Sequence, residues 1–183
     1  MWRKRLGEFK EARKKYKYLP EFVYGGTDGA VTTFAVVAGV AGAALSPTIV
    51  LILGFANLIG DGISMAASDY LSAKSRNELK ENAKGLRLSP TKAALSTFIA
   101  FFIVGLIPLL SYLAGAITKS PNILQNQFYY SIALTIFALA IVGFMKGEVL
   151  NRNKWSSSLQ TVIIGGIAAA AAFFISRFIS SLI

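Results

Sequence analysis

The chain has 183 residues, of which 54% are apolar and only 15% charged, where a soluble domain has about a quarter of its residues charged. Its net charge is +10, and it has neither cysteine nor histidine, which removes disulfides, thiolate or imidazole zinc sites, and Ser-His-Asp or Cys-His catalysis by inventory. An enzyme is not expected; the uncharged runs 29–60, 93–118, 120–145 and 156–176 each hold the roughly 20 residues that cross hydrocarbon, and mark an all-α integral membrane protein.

In chain order, residues 1–20 place Trp2, Leu6, Phe9, Ala12, Tyr16 and Leu19 at helical spacing among lysines and arginines. That pattern predicts an amphipathic helix lying on the cytoplasmic membrane surface and contacting the lipid bilayer. No apolar core precedes Pro20, so no cleaved leader is expected. Residues 21–183 form one membrane domain with five helices expected at about 22–45, 48–71, 92–117, 126–147 and 157–181. The link "LSPT" at 45–48 is short enough to force an antiparallel hairpin, with Pro47 suited to the first turn of the second helix. The 72–91 loop is charged and too short for a second domain, and Pro108 predicts a kink in the third helix.

Topology accounts for most of the charge. With five spans, only Lys119 and Arg177 of the 19 basic residues fall on one side, so the positive-inside rule places the N-terminus in the cytoplasm and the C-terminus outside. The remaining excess suits anionic lipid, and no recognition motif supports a nucleic-acid partner.

Against this apolar background, Asp28 sits near the start of "YGGTDGAVTTFAVVAGVAGA", and the second helix carries Asn57, Asp61, Met65 and Asp69 at intervals of four. Intervals of four keep side chains on one face, giving a polar, sulfur-bearing stripe. An aspartate at mid-membrane costs about 2.5–3.5 kcal/mol, and such residues face a protein interior or a water-filled path. If the hairpin turns about Ser46–Pro47, Asp28 lies level with Met65, Tyr24 with Asp69, and Thr32 with Asp61. Two readings of Asp28 stand: a site carboxylate, or an N-cap of a helix starting near the interface. Asp69 equally suits an ordinary helix-end charge, and Met65 alone suits core filling.

Hard carboxylate oxygen beside soft thioether sulfur suits a divalent transition metal held loosely, Fe(II) or Mn(II) before zinc. A cation entering such a site competes with protons for the same oxygens, a basis for metal/proton exchange. The expected metal ligands are Asp28, Asp61, Met65 and Asp69; Thr32, Asn57 and Ser64 would line the path with the aspartates. Glu78, Glu81 and Glu148 stand as entrance candidates, although Glu148 beside Lys146 also reads as a local ion pair. Small-xxx-small spacings, among them Gly25 and Gly29 on the first helix and Gly60, Ser64 and Ser68 on the second, predict close helix packing. No permanently bound cofactor is expected.

"TDGAVTTFAVVAGVAGA" followed by "ANLIGDGISMAASDYLSAKS", with the later "GFMKGE" and "GGIAAAAAFFISRFI", resembles the vacuolar iron transporter family, over most of residues 22–183. That family includes yeast calcium/manganese-sensitive vacuolar transporters and nodulin-21-like proteins. The resemblance implies a homodimer of five-helix protomers with a path between the two copies, lined by the first two helices of each. It further implies export of cytosolic Fe(II), sometimes Mn(II), against protons, with the family's helix-one aspartate at Asp28 and helix-two methionine at Met65. Two departures stand out. Asn57 replaces a glutamate found in some members, and the loop that is long and glutamate-rich in plant-type members holds only Glu78 and Glu81 among six basic residues. A passive cation channel and a non-transporting membrane scaffold are the competing functions. Minimal length points to a prokaryotic plasma membrane.

Overall fold

The computed structural model describes residues 17–79 and 87–183, and every regular element among them is helical. Six helices follow in order: α1 (Leu19–Gly42), α2 (Pro47–Leu79), α3 (Pro90–Leu106), α4 (Leu110–Thr118), α5 (Pro121–Val149) and α6 (Lys154–Ser180). A single 3-10 turn, Ile107–Leu109, joins α3 to α4 and makes them one bent span, with Pro108 at the bend as its missing N–H requires. The Ser131 hydroxyl donates to the Pro108 carbonyl at 2.7 Å, satisfying an acceptor buried inside the bundle.

Prolines open most of these helices. Pro20, Pro90 and Pro121 lie in first turns and Pro47 begins α2, positions where an absent N–H costs nothing. α6 is started differently, by the Asn153 side chain accepting from the backbone N–H groups of Trp155 (3.0 Å) and Ser156 (3.2 Å). Lys119, at φ 51°, ends α4 in the left-handed conformation, its N–H bonded to the Gly115 carbonyl at 3.0 Å.

Among the described residues four units, Pro47–Leu79, Pro90–Thr118, Pro121–Glu148 and Lys154–Ser180, are long and apolar enough to cross a membrane, and the chain is a membrane protein. α1 has the length, but Thr27, Asp28, Thr32 and Thr33 and its glycines make it less apolar. It compensates by position: α1 is the hub, packed against α2, α3, α5 and α6. Its buried residues Phe34, Val37 and Val40 join Leu58, Phe101, Leu109 and Tyr112 in one core cluster, while Ala30 joins Val104, Leu139 and Val142 in another.

Several expected boundaries shift, and the helices expected at 126 and 157 begin at Pro121 and Lys154. The first helix ends at Gly42, three residues early, because Ala44 adopts φ 56° and the Leu45 N–H turns back to the Val40 carbonyl at 3.0 Å. The second runs on to Leu79, and its 33 residues span about 50 Å, more than the hydrocarbon requires. α1 already begins at Leu19, inside the segment assigned to the surface helix; residues 1–16 of that segment lie outside the described residues.

Candidate functional site on helices α1 and α2

α1 begins at Leu19, so Asp28 stands more than two turns inside it, and the cap reading falls. Pointing from the same flank of the helix, the Thr32 hydroxyl donates to the Asp28 backbone carbonyl at 2.9 Å. It also accepts from Asn57 Nδ2 of α2 at 3.3 Å, with Thr33 Oγ1 at 3.5 Å from the same nitrogen. The chain Asn57, Thr32, Asp28 carbonyl therefore stitches the hairpin together across its polar face.

This stitch sets the register. α1 stops at Gly42 and α2 starts at Pro47, so the hairpin pivots near residues 44 and 45, two residues earlier than a turn about Ser46–Pro47. Asn57, not Asp61, is level with Thr32, and the same register puts Asp61, not Met65, opposite Asp28. Met65 sits one turn beyond Asp61, half-buried against the core cluster of Leu58 and Phe101. Asp28, Thr32, Asn57, Asp61 and Met65 are all half-buried, on a flank the single chain leaves uncovered.

The other expected residues separate from this group. Asp69 Oδ2 accepts a hydrogen bond from the Thr97 hydroxyl of α3. Ser64 is exposed, its carbonyl accepting from the Ser68 hydroxyl at 2.9 Å. Glu148 pairs with Lys154 at 3.1 Å, across the α5–α6 turn and not with Lys146, and both side chains are exposed. Such a pair contributes at most about 1 kcal/mol. Glu78 is exposed near the end of α2, and Glu81 lies outside the described residues. Among the described residues no three acidic, cysteine or histidine side chains gather as a metal cluster.

One carboxylate escaped the sequence reading. Glu21, in the first turn of α1, is 7% exposed, and its Oε2 has no hydrogen-bond partner among the described residues. It sits two turns below Asp28 along the same helix, on nearly the same bearing. Its position beside Pro20, at the edge of the expected span, disguised it as an interfacial charge.

Why α1 and α2 both lie so close to α3 and the turn that follows it is visible in the glycines. A Cβ at Gly25 would collide with the Thr97 carbonyl of α3, and one at Gly29 with the Phe101 carbonyl. At Gly54 it would meet the Leu109 side chain at 2.6 Å, and at Gly105 the Leu58 side chain at 2.7 Å and the Gly29 carbonyl at 2.8 Å. Removing side chains at these levels lets backbone touch backbone.

The VIT family model matches residues 19–87 and 81–177. A vacuolar iron transporter of Centaurea cyanus is 30% identical over 86% of this chain and 86% of its own length. Vacuolar iron transporter homolog 4 of Arabidopsis thaliana is 29% identical over 92% and 87%, and vacuolar iron transporter 1 of Eucalyptus grandis 27% over 88% and 86%. These eukaryotic proteins, vacuolar by name, lend no support to a prokaryotic plasma membrane.

Proposed function

The chain belongs to the VIT family, and from that premise we propose that it carries Fe(II), and Mn(II) as a second cargo, out of the cytosol in exchange for protons. The observation that supports this reading is the Asn57–Thr32 hydrogen bond, whose register leaves Asp28 and Asp61 one turn away on adjoining helices along a half-buried flank. Two aspartates in an apolar bundle cost several kcal/mol between them, a cost that a divalent cation between them reverses.

Asp28 and Asp61 supply the oxygen ligands and Met65, one turn on, the sulfur. One chain supplies only these, too few to strip a divalent ion of its water. A second copy facing the first across the flank of α1 and α2 doubles the set, so the working form is a homodimer with the path between protomers. In this reading its N-terminus lies in the cytosol, the side the positive-inside rule favours for the lysines and arginines at that end. The carboxylates bind a proton or the cation but not both at once, so loading one releases the other, and the two flows couple in opposite directions.

The test is purified protein in liposomes enclosing a metal-sensitive dye, with a pH gradient imposed across the membrane. Gradient-driven Fe(II) uptake that falls at least about 100-fold in Asp28→Asn and about tenfold in Met65→Ala is the expected outcome; a factor of ten is about 1.4 kcal/mol. Uptake indifferent to the gradient would make the protein a cation channel, and wild-type uptake by Asp28→Asn would remove the carboxylates from the path.

A further inference from the structure

α1 and α2 each bury more against α3 than against one another. Level by level, the same residues of α3 touch both. Phe101 lies under Gly29 of α1 and against Gly62 of α2, where a Cβ would stand 3.3 Å from its ring. Gly105 faces the Gly29 carbonyl on one side and Leu58 on the other, and Leu109 fills the space over Gly54. The spacing of Asp28 and Asp61 is thus transmitted through α3 as well as through the Asn57–Thr32 stitch.

At the cytoplasmic end this strut changes character. Thr97 is fully buried; its carbonyl is the atom on which Gly25 rests, and its hydroxyl donates to Asp69 Oδ2. Phe101 and Gly105 touch both helices through apolar or backbone atoms, whereas Thr97 grips α2 by a charge-assisted hydrogen bond. Gly25 lies one turn below Asp28 or less, and Asp69 two turns beyond Asp61.

We propose that Thr97 is a positioning residue: by clasping Asp69 while its backbone abuts Gly25, it holds the cytoplasmic half of α2 against α1 and sets the spacing of the Asp28–Asp61 pair. Asp69 is then the acceptor of a clasp, not a ligand of the cation. The inference rests on the exchange reading of the Asp28 site. It gives a buried threonine, distant from the cargo, control over how tightly the cargo is held.

The test is Fe(II) uptake by the full-length protein in the same liposomes, with KM and maximal rate resolved. Thr97→Val keeps the shape of the side chain and removes the donor; it raises KM about tenfold with maximal rate within about twofold, the equivalent of about 1.4 kcal/mol in binding. Thr97→Ser restores the donor and the wild-type KM. Asp69→Ala reproduces Thr97→Val, and the double variant is no worse than either single one, because one hydrogen bond is lost in all three. Asp69→Asn, whose carbonyl still accepts from Thr97 in a weaker neutral bond, raises KM only about threefold. An Asp69→Asn as damaged as Asp69→Ala would make Asp69 a cation ligand and overturn the clasp. So would a Thr97→Val of unchanged KM, or one whose defect is confined to the maximal rate. Asp28→Asn separates the two readings. If it transports normally, the exchange site fails; if it is dead while Thr97→Val binds as wild type, only the clasp fails.

Discussion

Of the four long apolar spans, α2 and α6 are the least buried, yet they carry different information. Between Gln160 and Arg177 the exposed residues of α6 are all apolar or glycine, among them Ile163, Ile164, Ile167 and Phe174. With α1 and α5 it lines a crevice of about 420 Å³ whose walls, among them Phe34, Ile132, Leu139 and Phe173, hold no charged side chain. α2 exposes Ile52, Ile59 and Ile63, but interleaves them with Gly60, Ser64 and Ser68, and its half-buried edge carries Asn57, Asp61, Met65 and Asp69. Hydrocarbon satisfies the first surface. It cannot satisfy the second, whose small and polar residues need a protein or aqueous neighbour. Low burial alone does not mark a site in a membrane protein; low burial beside unsatisfied polarity does.

The largest effect expected from breaking this comparison lies where backbone meets backbone. Gly29→Leu places a side chain into the Phe101 carbonyl, which cannot move aside as a flexible side chain would. The substitution costs about 3 kcal/mol or more, the upper end of over-packing, and the purified variant loses its cooperative melt in detergent. Gly166→Leu on α6, where nothing lies within 4 Å, leaves the melting temperature unchanged to within the equivalent of about 0.5 kcal/mol. Equal losses at the two positions would mean that α3 does not abut α1 as described.

A sharper use of the same contrast concerns two glycines that look alike in the single chain. Gly60 on α2 and Gly166 on α6 both face open space, with nothing within 4 Å of a Cβ at either. If the α2 flank meets a second copy and α6 meets lipid, Gly60→Leu shifts the dimer toward monomer about tenfold, whereas Gly166→Leu leaves it untouched. Light scattering in detergent, over a dilution series, reads both. Two unaffected dimers would place the subunit contact elsewhere, and with it the shared path.

Hydropathy made the spans legible because each is a long run of apolar side chains interrupted by charge, and the Pro108 bend followed from the chemistry of a single residue. The register of the hairpin was not legible. It depends on Ala44 adopting φ 56° without a glycine to announce it, so nothing in "LSPT" revealed that the first helix ends at Gly42. That shift moved Asp61 into the place opposite Asp28 where Met65 was expected. Thr97 was equally hidden, because its partner Asp69 is 28 residues away and a threonine in an apolar run carries no pattern. Glu21 was hidden by its neighbours, since its burial comes from helices packed beside α1 and not from its own segment.

The smallest expected effect tests the register itself. Asn57 Nδ2 reaches Thr32 Oγ1 at 3.3 Å, a neutral hydrogen bond at a half-buried position. Such a bond contributes about 1 kcal/mol, and Asn57→Ala removes it while leaving Thr32 its own bond to the Asp28 carbonyl. The hairpin keeps its backbone seams through α3, so the fold survives and the two aspartates drift only slightly apart. Fe(II) uptake by Asn57→Ala therefore persists, with KM raised about threefold to fivefold, less than for Met65→Ala and far less than for Asp28→Asn. A companion Thr32→Val adds little to Asn57→Ala, since both remove the same contact. If instead Asn57→Ala stops transport as completely as Asp28→Asn, Asn57 contacts the cargo directly, and the paired aspartates are not the whole of the oxygen shell.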